Sequence, residues 1–213
     1  MEMSRKEEIL YATLELAAEN GIKGVSMSQI ADKVGIKAPS LYNHFKSKDE
    51  IIREMYCFLR ARAQIGGSPV SMDSSKLMDK SVEEILLNSV SSYMGIVSDK
   101  YMLLFFKVLY SERATNPIAA QIIVEETERM LQSSRNMFYA LVVHGKVKND
   151  SIDTAAMTYS LTIHSLIDYR MDMLTAGIIQ EFGEDGKPVP KNIMDFISWF
   201  SHQIGERKWN LED

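Results

Sequence analysis

The stretch Val25-Ser26-Met27-Ser28-Gln29-Ile30-Ala31-Asp32-Lys33-Val34-Gly35-Ile36-Lys37-Ala38-Pro39-Ser40-Leu41-Tyr42-Asn43-His44-Phe45-Lys46-Ser47-Lys48 packs two short helices, a glycine turn and a run of polar and basic side chains into 24 residues. Ser26 is spaced to cap the amide of Gln29 while Gln29 reaches back, a reciprocal capping box that starts a helix at Met27. Ile30 and Val34 lie four apart on one face, and Ala31 is small enough for another helix to cross closely. Gly35 then supplies the left-handed conformation that ends this helix. Pro39 falls in the first turn of a second helix, where a missing N–H breaks no bond, and Leu41 and Phe45 at i, i+4 turn inward. Lys37, Ala38, Pro39, Ser40, Tyr42, Asn43 and His44 are left facing outward. Ser47 and Glu50 form a further capping box, so a long helix is expected from Lys48. The pattern predicts a helix-turn-helix whose second helix presents its N-terminal residues to the major groove of double-stranded DNA.

Charge agrees once it is taken locally. The 213-residue chain holds 24 Lys+Arg against 29 Asp+Glu, a formal net charge of −5, which argues against indiscriminate coating of nucleic acid. Between residues 21 and 48, Lys23, Lys33, Lys37, Lys46 and Lys48 face only Asp32, a local net charge of +4. A basic patch on an acidic body suits a sequence-selective binder, in which phosphate contacts supply affinity and orientation and base-edge contacts supply preference.

Residues 5–56 resemble the DNA-binding domain of the TetR family of bacterial and archaeal transcription regulators. The resemblance is carried by the leading helix Arg5 to Asn20, by Asn20-Gly21-Ile22-Lys23-Gly24-Val25-Ser26-Met27-Ser28-Gln29-Ile30-Ala31, and by Ser40-Leu41-Tyr42-Asn43-His44-Phe45-Lys46-Ser47-Lys48-Asp49-Glu50. It implies an all-α homodimer whose N-terminal domains read an operator and whose larger C-terminal domains dimerise and bind a small effector. On this reading residues 1–50 form the DNA-binding domain, with a linking helix over 48–65, and residues 51–213 form the effector-binding and dimerisation domain. Residue by residue, the resemblance places Ser26, Tyr42, His44 and Lys48 on phosphates, and Ser28, Lys37, Ala38, Pro39 and Ser40 near base edges. Lys37 can donate to guanine, and Ala38 or Pro39 can pack on a thymine methyl. Ser28 and Ala38 are small, which gives DNA shape a larger share of the recognition. Plainer roles compete: Tyr42 as a half-buried ring, Lys37 as solvated surface, and His44 as a neutral hydrogen-bonding partner. Ser26 is a helix cap worth about 1 kcal/mol with or without DNA.

The rest of the chain reads as helices, since Pro and Gly are scarce and gather at breaks. The linking helix from Lys48 stops at Gly66-Gly67-Ser68-Pro69, and Ile51, Ile52, Met55, Tyr56 and Leu59 are expected to dock it on both domains. Residues 70–80 read as loop or helix. Ser81 and Glu84 make a capping box ahead of Ile85, Leu86, Val90, Tyr93 and Met94. A short apolar helix is expected from Asp99 or Lys100 to Glu112, and Asn116-Pro117 opens a long one that Gly145 stops. Asp153 to Gly177 and Lys191 to about Arg207 complete the set, separated by a loop over 183–190. The charged opening and the lack of an apolar run near about 18 residues point to neither secretion signal nor membrane span, and to a cytoplasmic protein. A single cysteine, Cys57, excludes an internal disulfide and a multi-cysteine zinc site, and its apolar setting reads as a buried structural thiol.

Two features of the body bear on function. Residues 93–139 are rich in aromatic and methionine side chains, and Tyr93, Tyr101, Phe105, Tyr110, Met130, Met137 and Phe138 are candidates to envelop an apolar or amphipathic effector. An ordinary helical core accounts for the same residues. In the last helix Phe196, Trp199, Phe200 and Gln203 are candidates for a dimer interface, where the resemblance implies that the last two helices pair with their twins in a four-helix arrangement. His164 and Asp168 lie four apart and can meet as a hydrogen-bonded pair in that seam, as an anchor for a polar group of an effector, or, least readily, as part of a metal site. No nucleophile motif, phosphate loop or metal-ligand spacing is present, so neither catalysis, cofactor nor metal is expected. The sequence therefore predicts a ligand-responsive homodimeric repressor on a pseudo-palindromic operator. An architectural protein that marks chromosomal sites without an effector would carry the same helix-turn-helix.

Overall fold

Helix boundaries follow the capping chemistry. The structure, a computed structural model, describes residues 3–66, 79–97, 99–148, 150–181, 183–184, 187 and 189–205. Among these residues the regular structure is helical: α1 (Arg5–Gly24), α2 (Met27–Val34), α3 (Ala38–Tyr42), α4 (Lys48–Gly66), α5 (Val82–Val97), α6 (Lys100–Glu112), α7 (Pro117–Val143), α8 (Ile152–Thr175) and α9 (Lys191–Ile204). The β-structure found there is limited to isolated bridges, Val147 with Gly205 and Glu184 with Lys187.

Capping boxes start three helices: Ser4 with Glu7, Ser26 with Gln29, and Ser81 with Glu84. Asp99 caps α6 through the amides of Tyr101 and Met102, and Asn116 caps α7 through those of Ile118 and Ala119. Two expectations need correction. Ser47 accepts from the Glu50 amide at 3.1 Å, but the Glu50 carboxylate passes over Ser47 to the Lys46 amide at 2.6 Å, so the box is open by one residue. Cys57 is exposed and not a buried thiol. The inward stripe of α4 is Ile51, Ile52, Met55, Tyr56 and Leu59, and at roughly 100° per residue position 57 turns away from it. The expected stop after Gly66 and the 70–78 stretch lie outside the described residues, whereas the last helix ends at Ile204, with Gly205 in an extended conformation as its C-cap, a little short of the expected Arg207.

The chain divides into two compact units, residues 1–66 with 96–126 and residues 67–95 with 127–213, so the divisions fall at the end of α4, within α5 and within α7. In the first unit Ile9, Leu14, Ile30, Leu41, Phe45, Ile51, Met55, Leu59 and Phe105 are fully buried in one core. Tyr11 joins it to Tyr101 and Phe58, with ring centroids 4.3 and 5.6 Å away. That core also contains a buried polar cluster. Glu126 is 3 % exposed, accepts the Tyr56 hydroxyl at 3.1 Å and pairs with Arg60 at 2.8 Å. The burial of such a pair costs much of what its attraction returns, so the pair adds little net stability, although removing one partner would leave a costly unpaired charge.

In the second unit Phe138, Tyr159 and Phe200 form a ring cluster with centroids 5.5 to 6.1 Å apart. The Tyr159 hydroxyl donates to the Leu86 carbonyl at 3.1 Å, and Ser134 and Ser160 share a buried hydrogen bond of 2.8 Å. Glu184 accepts the Lys191 amide at 3.0 Å and so caps α9 from the preceding loop.

Candidate nucleic-acid interface

The interface is built on three short bonds and a glycine. Ser26 starts α2 by accepting from the Gln29 amide at 3.2 Å, and Gln29 accepts from the Ser26 amide at 2.8 Å. Gly35, at φ +73°, ends α2, and the Ile36 amide then reaches back to the Ala31 carbonyl at 2.9 Å, the closure expected of a left-handed helix stop. Ile30, Ala31, Leu41 and Phe45 are buried, which pins α2 and α3 to the unit's core and fixes which faces remain outside. The second helix is shorter than expected, five residues from Ala38 to Tyr42. The Phe45 amide still bonds the Leu41 carbonyl at 3.0 Å, so one further turn carries Phe45 inward without a regular helix.

Most of the outward residues stay outward. Lys37, Pro39, Tyr42, Asn43 and His44 are exposed, with Tyr42 at 52 %, while Ala38 and Ser40 are half-buried. Ser26 and Ser28 are exposed at the start of α2. The structure thus brings Lys37 through His44 together on one short segment beside the α2 N-terminus, a geometry suited to hydrogen bonding with phosphate oxygens and base edges.

The lysines divide into two groups. Lys23, Lys37 and Lys46 are exposed. Lys33 pairs with Glu15 of α1 at 3.0 Å, and hydrogen bonding to that carboxylate raises its pKa above the ordinary value. Lys48 is half-buried and donates to the carbonyls of Ile22 at 2.7 Å and Val25 at 3.0 Å. Two of its three N–H groups are therefore occupied at the end of α1, leaving one to meet a phosphate. Sequence reasoning missed this role, because its partners lie more than twenty residues away and no local spacing marks them.

Residues 9–55 match the family model described as bacterial regulatory proteins, tetR family. The chain carries a TetR-family DNA-binding domain. Curated relatives are similar over part of the chain: the HTH-type transcriptional repressor KstR2 of Mycolicibacterium smegmatis is 40% identical over 52 residues, 24% of this chain and 25% of that protein. The tetracycline repressor protein class D of Escherichia coli is 33% identical over 69 residues, 32% of each chain. The alignments thus span about a quarter to a third of the length of those relatives. The fold extends further. A TetR family transcriptional regulator from Pseudomonas syringae pv. tomato superposes with a TM-score of 0.67 over 94% of this chain and 97% of that one, at 21% identity. The TetR-type domain at the N-terminus is therefore followed by a helical body of the architecture seen in that regulator.

The body residues expected to meet an effector fall in both units. Tyr101, Phe105 and Tyr110 belong to the first, and Phe105 is fully buried against Tyr56, with centroids 6.1 Å apart. Tyr93, Met130, Met137, Phe138, His164 and Asp168 belong to the second, where Met137 and Phe138 are buried and the others half-buried. His164 Nε2 stands 3.6 Å from Asp168 Oδ2, an ion pair only when the imidazole is protonated. In α9 Phe200 is buried in its own core, Phe196 is half-buried, and Trp199 at 59 % and Gln203 are exposed. Among the described residues no helix is long and apolar enough to cross a membrane.

Proposed function

We propose that this protein is a sequence-specific DNA-binding transcriptional regulator, acting as a homodimeric repressor that leaves its operator when a small effector binds. The observation that carries the reading is the exposed Lys37-to-His44 segment, mounted on a buried Leu41–Phe45 anchor beside a capped α2, within a domain that matches the TetR model. One short helix meets few base pairs, so useful selectivity calls for two half-sites roughly 34 Å or a multiple of that apart, read by two copies. The exposed apolar side chains of α8 and α9, Met157, Leu161, Tyr169 and Trp199, support pairing of these helices with a second copy. The repressor names of the curated relatives favour regulation over an architectural role.

The effector is apolar or amphipathic, taken by the aromatic and methionine side chains of the body. Tyr93, Tyr101, Tyr110, Met130, His164 and Asp168 retain partial exposure and are the first positions to probe. A ten- to hundredfold loss of DNA affinity on effector binding needs about 1.4 to 2.8 kcal/mol of coupling.

Selection of fragmented genomic DNA of the source organism on purified protein at physiological salt tests the central reading. Retention of one or a few pseudo-palindromic sites near promoters is the expected result. Many dispersed sites, or none, would overturn it. An effector that binds equally well with and without operator would remove the ligand-responsive part alone.

A further inference from the structure

The turn joining α1 to α2 is held from two sides by groups distant in sequence. Gly21, at φ +70°, kinks the last turn of α1, and the next amide, that of Ile22, donates to Glu112 Oε1 at 3.3 Å. Lys48 Nζ takes the carbonyls of Ile22 and Val25 from the same turn. The following residue is Ser26, the N-cap of α2. Glu112 is the last residue of α6, whose Met102, Phe105, Phe106 and Leu109 are buried, so its backbone is anchored. The approach is tight, since a Cβ at position 21 would stand 3.0 Å from Glu112 Oε1, and the φ of +70° is what favours glycine there. The second carboxylate oxygen of Glu112 is buried without a hydrogen-bond partner. Such an atom costs folding free energy, so stability alone does not account for the group.

We propose that Glu112 is a positioning residue for DNA binding, 90 residues from the amide it holds. By fixing Ile22 it fixes where α2 begins, and with that the placement of Ser26, Ser28 and the α3 segment against the duplex. Glu112 touches no DNA in this role. Hydrogen bonds to phosphate weaken steeply once their geometry departs from a narrow range of distance and angle, so a small displacement of the α2 N-terminus is enough to break one. The inference rests on the reading of the N-terminal unit as the DNA-binding unit.

The test uses the full chain and the DNA sites retained by the wild type, with Glu112→Ala, Glu112→Gln and Glu112→Asp compared for affinity at several salt concentrations and for thermal midpoint. Glu112→Ala is expected to weaken binding tenfold or more and to flatten the log–log salt dependence by about 0.9 for each phosphate the protein no longer neutralises. Its midpoint is expected to stay within a few degrees of the wild type. Glu112→Gln keeps an acceptor oxygen at full reach and is expected to bind as the wild type does. Glu112→Asp keeps the charge but falls one methylene short, and is expected to bind weakly even if the alanine variant does not fold. Wild-type affinity in Glu112→Ala or Glu112→Asp, a glutamine variant as weak as alanine, or a drop in affinity matched by a fall in midpoint would overturn the inference. Wild-type protein that retains no site would instead defeat the functional reading beneath it.

Discussion

At the residue scale, side chains that position the protein on DNA and side chains that read bases are separable by experiment. In the proposed DNA-binding role Tyr42, at 52 % exposure, would offer its hydroxyl to a phosphate, and Tyr42→Phe is expected to weaken binding to all sequences alike. Because the lost hydroxyl is neutral and displaces no counterion, the log–log salt slope is expected to stay that of the wild type, measured by titration at several salt concentrations. Lys37, exposed at the N-cap of α3 with no side-chain capping bond, has its donors available to a base edge. Lys37→Ala is expected to relax preference at one base position in each half-site, read by competition with single-substitution operators, and a uniform weakening on every sequence would assign it to phosphate. Lys48 does not separate so cleanly. Its bonds to Ile22 and Val25 mean that its removal disturbs the α1–α2 turn as well as any bond to phosphate.

At the element scale, the helix-turn-helix depends on a backbone conformation that side chains resist. Gly35 sits at φ +73° with open space around it, so a methyl group there meets no neighbour and the whole cost is conformational. Gly35→Ala is expected to destabilise the protein by about 1 to 2 kcal/mol, seen as a lower urea midpoint with an unchanged m-value. This element was legible from sequence because its signals are local: a capping box between residues three positions apart, a glycine stop and an i, i+4 apolar pair. The Ser47–Glu50 box was misjudged because two amides, those of Lys46 and Ser47, compete for one carboxylate, and spacing does not decide between them. Cys57 was misplaced for a related reason. Its apolar neighbours in sequence point to other faces of α4.

At the scale of the whole molecule, burial and exposed apolar surface set stability and assembly. Tyr159 is buried with its hydroxyl on the Leu86 carbonyl, and burial raises its pKa well above the ordinary value of 10.0. The folded state therefore keeps this phenol neutral where the unfolded chain would ionise it. Its contribution is complete below pH 10.0 and is lost as pH rises above that value. Tyr159→Phe is expected to reduce the alkaline fall in unfolding midpoint. A smaller remainder belongs to Tyr11, whose pKa is raised by burial, and to Tyr139, raised by its hydrogen bond to Asp153. For assembly, Leu161→Glu combined with Trp199→Glu places charge on the exposed apolar faces of α8 and α9. Sedimentation is expected to show monomer, with operator affinity falling because half-sites are then met singly. A dimer that persists would place the interface elsewhere.

The sequence by itself determined the helical class, the caps that open α2, α5 and α7, and the identity of the DNA-binding domain, because each rests on residues within a few positions of one another. It also pointed to Lys37, Pro39, Tyr42, Asn43 and His44 as outward, from helical spacing relative to Leu41 and Phe45, while Ala38 and Ser40, read the same way, are half-buried. Only the tertiary structure decided that Lys33 is paired with Glu15, that Lys48 serves the end of α1, that Phe200 fills its own core, and that Glu112 reaches Ile22. Those partners are brought together by packing across tens of residues, and a charged or aromatic side chain carries no local mark of which distant neighbour it will meet.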